Sequence, residues 1–234
     1  MTLVLAAHGS VDPRSAAVTH AVAGRIRRLR PWLEVRPAFL ERTTPALTEV
    51  LTGLRGGGVV VPLLLADGYH ARVDIPAIIT RSGAPVQQAA VLGEDPALVT
   101  LLRQRLAEAG VSPVDDELGV IVVAVGSSNT AANARTATVA AALARGTRWA
   151  GVTTAFATGT QPDIAAAAAT LRARGATRLV LAPWFLAHGV ITDRVAATAA
   201  ALDIPMAEPL GSHNLVAAAV LERYDAVLTA AAAA

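Results

Sequence analysis

The run Val59-Val60-Val61-Pro62-Leu63-Leu64-Leu65-Ala66-Asp67-Gly68-Tyr69-His70 changes character abruptly at Asp67. Val59 to Leu65 joins β-branched residues to leucines without polar alternation, the pattern of a strand buried on both faces. The polar residues then fall at the carboxyl end of that strand. In an open α/β sheet the crevice beyond those ends is where ligands bind, because its loops vary while the strands hold them rigid. His70 is the residue there that calls for an explanation. A second stretch has the same form: Leu3 to Ala7 is apolar, His8-Gly9-Ser10 follows, and a helical pattern starts near Ser15 beyond Asp12 and Pro13. If the two strands are parallel neighbours, His8 and His70 leave the sheet at the same edge.

Outward from these stretches, strands alternate with helices through the first half. The units are 3–7 with 15–29, 34–39 with 44–54, 59–65 with 74–81, and 86–89 with 96–109. Such alternation predicts parallel sheet. Gly110 to Leu118 carries a Gly, a Pro and three acids and reads as a linker. The order then returns as 119–125 with 131–144, 151–155 with 161–174, 178–186 with 192–201, and 205–207 with 215–229. Val125-Gly126-Ser127 falls where His8-Gly9-Ser10 does, Phe156 and Pro162 mirror Phe39 and Pro45, and Pro183 to Gly189 repeats Pro62 to Gly68. The chain is therefore read as an internal duplication, with domains at residues 1–114 and 115–234. The histidines are not duplicated, since Val125 stands for His8 and Ile191 for His70. One active site is expected between the two domains, with its His pair supplied by the first half.

Composition excludes several classes. The chain has 234 residues, enough for a sizeable core, and 53% are hydrophobic, yet no apolar run is long enough to span a membrane without interruption. Its N-terminus has no basic leader and enters the first strand directly, so a cytoplasmic protein is expected. With no cysteine, any metal must use His, Asp or Glu. The net charge is only +2 and the arginines are dispersed, which gives no support for a nucleic-acid partner. Gly56-Gly57-Gly58 precedes its strand, whereas a phosphate cradle follows one, so it reads as a turn.

His8-Gly9-Ser10, Phe39-Leu40-Glu41 followed by Pro45, and Gly68-Tyr69-His70 followed by Asp74-Ile75-Pro76 together resemble the sirohydrochlorin chelatases. These are class II tetrapyrrole chelatases that insert iron or cobalt. The resemblance covers the whole length and implies two tandem flavodoxin-like or Rossmann-like α/β domains related by a pseudo-two-fold axis. It also implies a macrocycle in the cleft and metal-site histidines in the N-terminal half. The implied partners are sirohydrochlorin and a divalent metal ion, with no organic cofactor, no nucleic acid and no membrane. A monomer of two pseudo-symmetric lobes is expected, with the oligomeric state left open. The chain has neither a histidine-rich tail nor cysteines for a cluster, which favours Fe2+ over Co2+ as the ion.

Metallating a tetrapyrrole requires a divalent ion to shed water and two pyrrole N–H protons to leave. Neutral imidazole suits this, because it holds iron, cobalt or nickel at moderate strength and can then release the ion to the ring. His8 and His70 are accordingly the metal ligands and proton acceptors expected here. Glu41, at the end of the second strand, either completes a His-His-Glu set or is a solvated loop acid. Asp74 reads first as a helix N-cap, although its place in the family motif makes it worth testing, and Ser10 reads as a loop or cap group. The acidic arms of the substrate call for guanidinium groups, for which Arg42, Arg72, Arg135 and Arg194 are candidates, and Gly68 and Tyr69 adjoin the site. His188 and His213 are left without a role. Three further functions compete: a carrier that binds a tetrapyrrole or metal without turnover, a periplasmic-type receptor of two α/β lobes, against which the missing export signal argues, and a nucleotide-binding Rossmann protein. The last lacks a glycine-rich loop after its first strand.

Overall fold

The computed structural model describes residues 1–159 and 161–233. In chain order the elements are β1 (Thr2–Ala7), α1 (Pro13–Leu29), β2 (Val35–Phe39), α2 (Leu47–Thr52), β3 (Gly58–Pro62), a π-helical turn (His70–Asp74), α3 (Ile75–Ser82), β4 (Val86–Gln88) and α4 (Pro96–Glu108). They continue with β5 (Leu118–Ala124), α5 (Thr130–Ala144), β6 (Gly151–Phe156), α6 (Ile164–Ala173), β7 (Arg178–Pro183), α7 (Val190–Ala201) and α8 (Asn214–Ala233). Among these residues no helix is long and apolar enough to cross a membrane.

The chain packs as two units, one of Met1–Asp95 with Ser212–Ala234, the other of Pro96–Gly211. In the first, four parallel strands lie in the order β2-β1-β3-β4. Every residue of β1 and β3 is buried, as expected for a strand covered on both faces. Val4, Ala6, Ala38 and Val60 pack on one face against Leu47 and Leu51 of α2 and Ile75 of α3. Leu3, Leu5, Val59 and Val61 alternate to the other face, where α1 lies on β1 and β2 and α8 on β3. Asp12 caps α1 by accepting from the Arg14 N–H, with Pro13 in the first turn.

The second unit holds three parallel strands in the order β6-β5-β7. Ile121, Val123 and Leu181 pack against Ile164, Ala168 and Leu171 of α6 and Val195 and Ala199 of α7. Helix α5 lies on β5 and β6, and α4 on β7 and α5. The fourth strand expected at 205–207 is reduced to a single bridge between Leu181 and Met206. Pro205 has no N–H to extend the ladder, so only its carbonyl and the Ala207 N–H bond to Leu181.

The packing units differ from a division at residues 114 and 115. The last helix of each sequence half belongs to the other half's unit: α4 buries Leu98, Leu101, Leu102 and Leu106 in the second unit, and α8 buries Val216, Val220 and Tyr224 in the first. Gly110 to Leu118 is accordingly a pinned loop inside one unit and not a linker. Asp115 pairs with Arg178 and Asp116 with Arg148, and the Trp149 indole N–H donates to the Ser112 carbonyl.

Candidate metal centre

The strand order puts β1 between β2 and β3, so connections leave β1 on both sides and open a crevice at its carboxyl end. His8 follows β1, Glu41 follows β2 and His70 lies beyond β3. The β1–β2 pairing continues past the strands: the Leu40 N–H donates to the Ala7 carbonyl (3.0 Å) and the Glu41 N–H to the His8 carbonyl (2.9 Å). This approach needs Gly9, whose φ is +88° and where a Cβ would collide with the Glu41 carbonyl. The Thr43 hydroxyl then ties the two loops together, donating to the Ser10 carbonyl (2.9 Å) and accepting the Ser10 N–H (3.0 Å).

His70 opens the π-helical turn, in which the Ile75 N–H reaches back to the His70 carbonyl. Such turns insert one residue into a helix and recur at functional sites. The Ala71 carbonyl within it accepts from the Gln88 side-chain amide of β4 (2.7 Å), which pins the turn to the sheet.

The consequence is a cluster. One ligand atom from each of His8, Glu41 and His70 lies within 4.8 Å of the others. The two imidazole rings are 4.4 Å apart between centroids and perpendicular. Hydrogen bonding assigns their tautomers. His8 Nδ1 is 2.9 Å from the Gly9 carbonyl, which can only accept, so Nδ1 carries the proton. His70 Nδ1 is 2.7 Å from Asp74 Oδ2, whose carboxylate likewise accepts. In its neutral form each ring therefore offers Nε2 as the lone-pair donor. Two imidazole nitrogens and a carboxylate, with His8 and Glu41 exposed to solvent, are a set that could hold a metal ion through three ligands and leave room for exchangeable ones.

Asp74 corrects the sequence reading. Its backbone is already helical and its side chain caps nothing; it holds His70 from four residues away, the carboxylate–histidine arrangement that fixes ring orientation at metal sites. The His-x-x-x-Asp spacing was the available signal. Ser10 Oγ accepts the Asp12 N–H (3.0 Å), so it shapes the loop. Arg72 donates through Nη2 (2.6 Å) and Nε (3.0 Å) to Asp67, an interaction that raises its pKa further. Gly68 accepts the Arg72 N–H. Arg42 sits in left-handed backbone with Nε 3.8 Å from the Glu41 carboxylate, and Tyr69 is 64% exposed with its ring 6.4 Å from that of His70. Arg135 is an exposed residue of α5 in the second unit. His213 Nδ1 accepts the Leu215 N–H at the start of α8, and His188 pairs with Glu208 (2.8 Å).

The second unit repeats the backbone without the chemistry. The Thr158 N–H donates to the Val125 carbonyl (3.0 Å) as Glu41 does to His8, and Gly126 has φ +91°. At the four positions of His8, Glu41, His70 and Asp74 stand Val125, Thr158, Ile191 and Val195.

Comparison with solved structures agrees with this fold. SirB from Bacillus subtilis, solved with Fe3+, superposes with a TM-score of 0.75 at 21% identity, covering 95% of this chain and 94% of SirB. A CbiX described as the terminal enzyme for biosynthesis of siroheme in denitrifying bacteria gives 0.71 at 24% identity, covering 97% of this chain and 99% of that one. In sequence, the sirohydrochlorin cobaltochelatases of Methanosarcina acetivorans and Methanosarcina barkeri are 31% and 33% identical over 118 residues. Each match spans 44% of this chain and 91% of the relative, about one repeat. A family model described as CbiX matches twice, over residues 2–109 and again over 119–227. Matched along nearly its whole length by that one model, in two stretches separated by residues 110–118, the chain belongs to the CbiX family.

Proposed function

We propose that this protein inserts a divalent transition-metal ion into sirohydrochlorin, with His8, Glu41 and His70 handling the ion and the pyrrole protons. The observation that carries this reading is the convergence of those three side chains at the ends of three adjacent parallel strands. Family membership and the names of the cobaltochelatase relatives support the substrate and the reaction.

The ion is a substrate, so it must be bound and then surrendered. Two neutral Nε2 donors and one carboxylate offset part of its charge and hydration without the grip of a four-ligand cage. Insertion exchanges one divalent ion for two pyrrole protons. As the ion moves to the ring nitrogens, the freed Nε2 atoms of His8 and His70 become bases positioned for those protons. Asp74, bonded to Nδ1–H of His70, holds that ring in orientation. Tyr69 and Arg42 border the cluster and are assigned to the macrocycle; Ser10, Gly68 and Arg72 shape the loops around it.

The donor set accepts Fe2+ and Co2+ alike. Sequence features favour iron, while the relatives' names favour cobalt as the second reading. Anaerobic incubation of the protein and sirohydrochlorin with Fe2+ or Co2+ in turn, followed by visible spectroscopy, decides both points. Insertion faster than the protein-free rate is expected, and the preferred ion is the faster one. Tight binding of sirohydrochlorin with no acceleration by either ion would make the protein a carrier.

A further inference from the structure

Beside the cluster lies a cavity of about 250 Å³, lined by Leu40, Glu41, Asp74, Ala77, Ile78 and Arg81. Four of these residues follow the i, i+3, i+4, i+7 spacing of one helical stripe. The stripe runs from Asp74, bonded to His70, to Arg81, about two turns or ~10 Å along the axis. Its chemistry is graded: Glu41 and Asp74 at the end shared with the metal cluster, the apolar Leu40, Ala77 and Ile78, and a guanidinium. Arg72 is paired with Asp67 and Arg42 faces Glu41. Among the described residues the Arg81 side chain has no hydrogen-bond or acidic partner. The cavity is smaller than the ~300–1,000 Å³ that encloses a whole small-molecule ligand, yet it adjoins a site proposed to hold a much larger one. It suits one arm of that ligand.

Resting on the metal-insertion reading, we propose that this cavity seats a carboxylate arm of the tetrapyrrole, with its methylenes against Leu40, Ala77 and Ile78 and its carboxylate paired with Arg81. A guanidinium matches a carboxylate in a two-bond fork. Glu41 and Asp74 do not repel the arm unopposed, since Glu41 faces the bound ion and Asp74 holds the His70 N–H. Arg81 is then a substrate-binding residue that selects macrocycles with acidic arms.

The test compares wild type, Arg81→Gln and Arg81→Lys in steady-state insertion. KM for sirohydrochlorin should rise about ten-fold in Arg81→Gln, the scale of one lost charge-assisted pair, and recover partly in Arg81→Lys. Co2+ binding to the protein alone and Tm should stay unchanged, whereas a purely structural role at the end of α3 would move Tm and leave KM alone. With the fully esterified macrocycle, the difference between wild type and Arg81→Gln should disappear. An unchanged KM in Arg81→Gln, or an equal rise with the ester, overturns the assignment while leaving metal insertion intact. If wild type does not turn over, it is the insertion reading that fails. Fluorescence-monitored Kd values for sirohydrochlorin in wild type and Arg81→Gln then decide the arm site alone.

Discussion

His70 is held from behind. Its Nδ1–H bonds to Asp74, which leaves Nε2 as the nitrogen with a lone pair to offer in the cluster with His8 and Glu41. Removing the charge of that carboxylate while keeping its shape isolates its contribution. In Asp74→Asn, affinity for Co2+ in the absence of macrocycle should fall by about 10- to 100-fold, the range for such supporting carboxylates. The fold should persist, because the side chain is partly exposed and caps no helix. Co2+ titration followed by its visible absorption makes the measurement, and unchanged affinity would remove Asp74 from the centre. The two histidines were legible in the sequence because each follows a buried strand in one repeat only. Asp74 was not, because an acid before Ile75-Pro76 has the form of a helix cap; only the π-helical turn, which starts the helical backbone at His70, reveals its other role.

Helix α8 shows what an element requires to stay in place. It is fastened to α1 by Arg30 and Asp225, bonded through two nitrogens and two oxygens at 2.5 Å, and to the end of the first four-strand segment by Arg223, which donates to Asp95 (2.7 Å) and to the Val91 and Leu92 carbonyls. The Arg30 hydrogen bond holds the Asp225 carboxyl below its ordinary pKa. A depressed carboxylate contributes stability above its unfolded value of about 3.9 and loses it as pH falls through the lower folded value. Asp225→Asn should therefore be less stable than wild type at pH 7, by a few tenths to about 1 kcal/mol because the pair is partly exposed. That difference should shrink towards zero as pH drops below about 4. Paired denaturant melts at pH 7 and pH 3 check it; a gap that widens in acid would reverse the sign. Apart from the strand expected at 205–207 and the π-helical turn, the elements were readable from apolar runs and their spacing. The placement of α4 and α8 was not, since an apolar stripe shows that a helix is buried but not which sheet covers it. The Gly, Pro and acids of Gly110 to Leu118 serve a pinned loop as well as they would a linker.

The whole molecule is one backbone plan used twice and equipped once. Both units carry the loop link between first and second strands, yet Val125, Thr158, Ile191 and Val195 replace the entire His8, Glu41, His70 and Asp74 set. Restoring only two ligands should therefore not suffice. Val125→His with Ile191→His should bind one Co2+ per chain, the stoichiometry expected of wild type, and turn over no faster, because ligands need their supporting groups. Equilibrium dialysis with Co2+ gives the stoichiometry, and two ions per chain with doubled turnover would show that the second unit is complete apart from its histidines. The most direct measurement is the rate of metal insertion into sirohydrochlorin by His8→Ala and His70→Ala, under anaerobic conditions, against wild type and the protein-free background. Both side chains lie beyond the strands, outside the core, so circular dichroism should be unchanged. Insertion by each variant should fall by orders of magnitude towards background; near-wild-type turnover by either folded variant would contradict a metal-handling role for the pair.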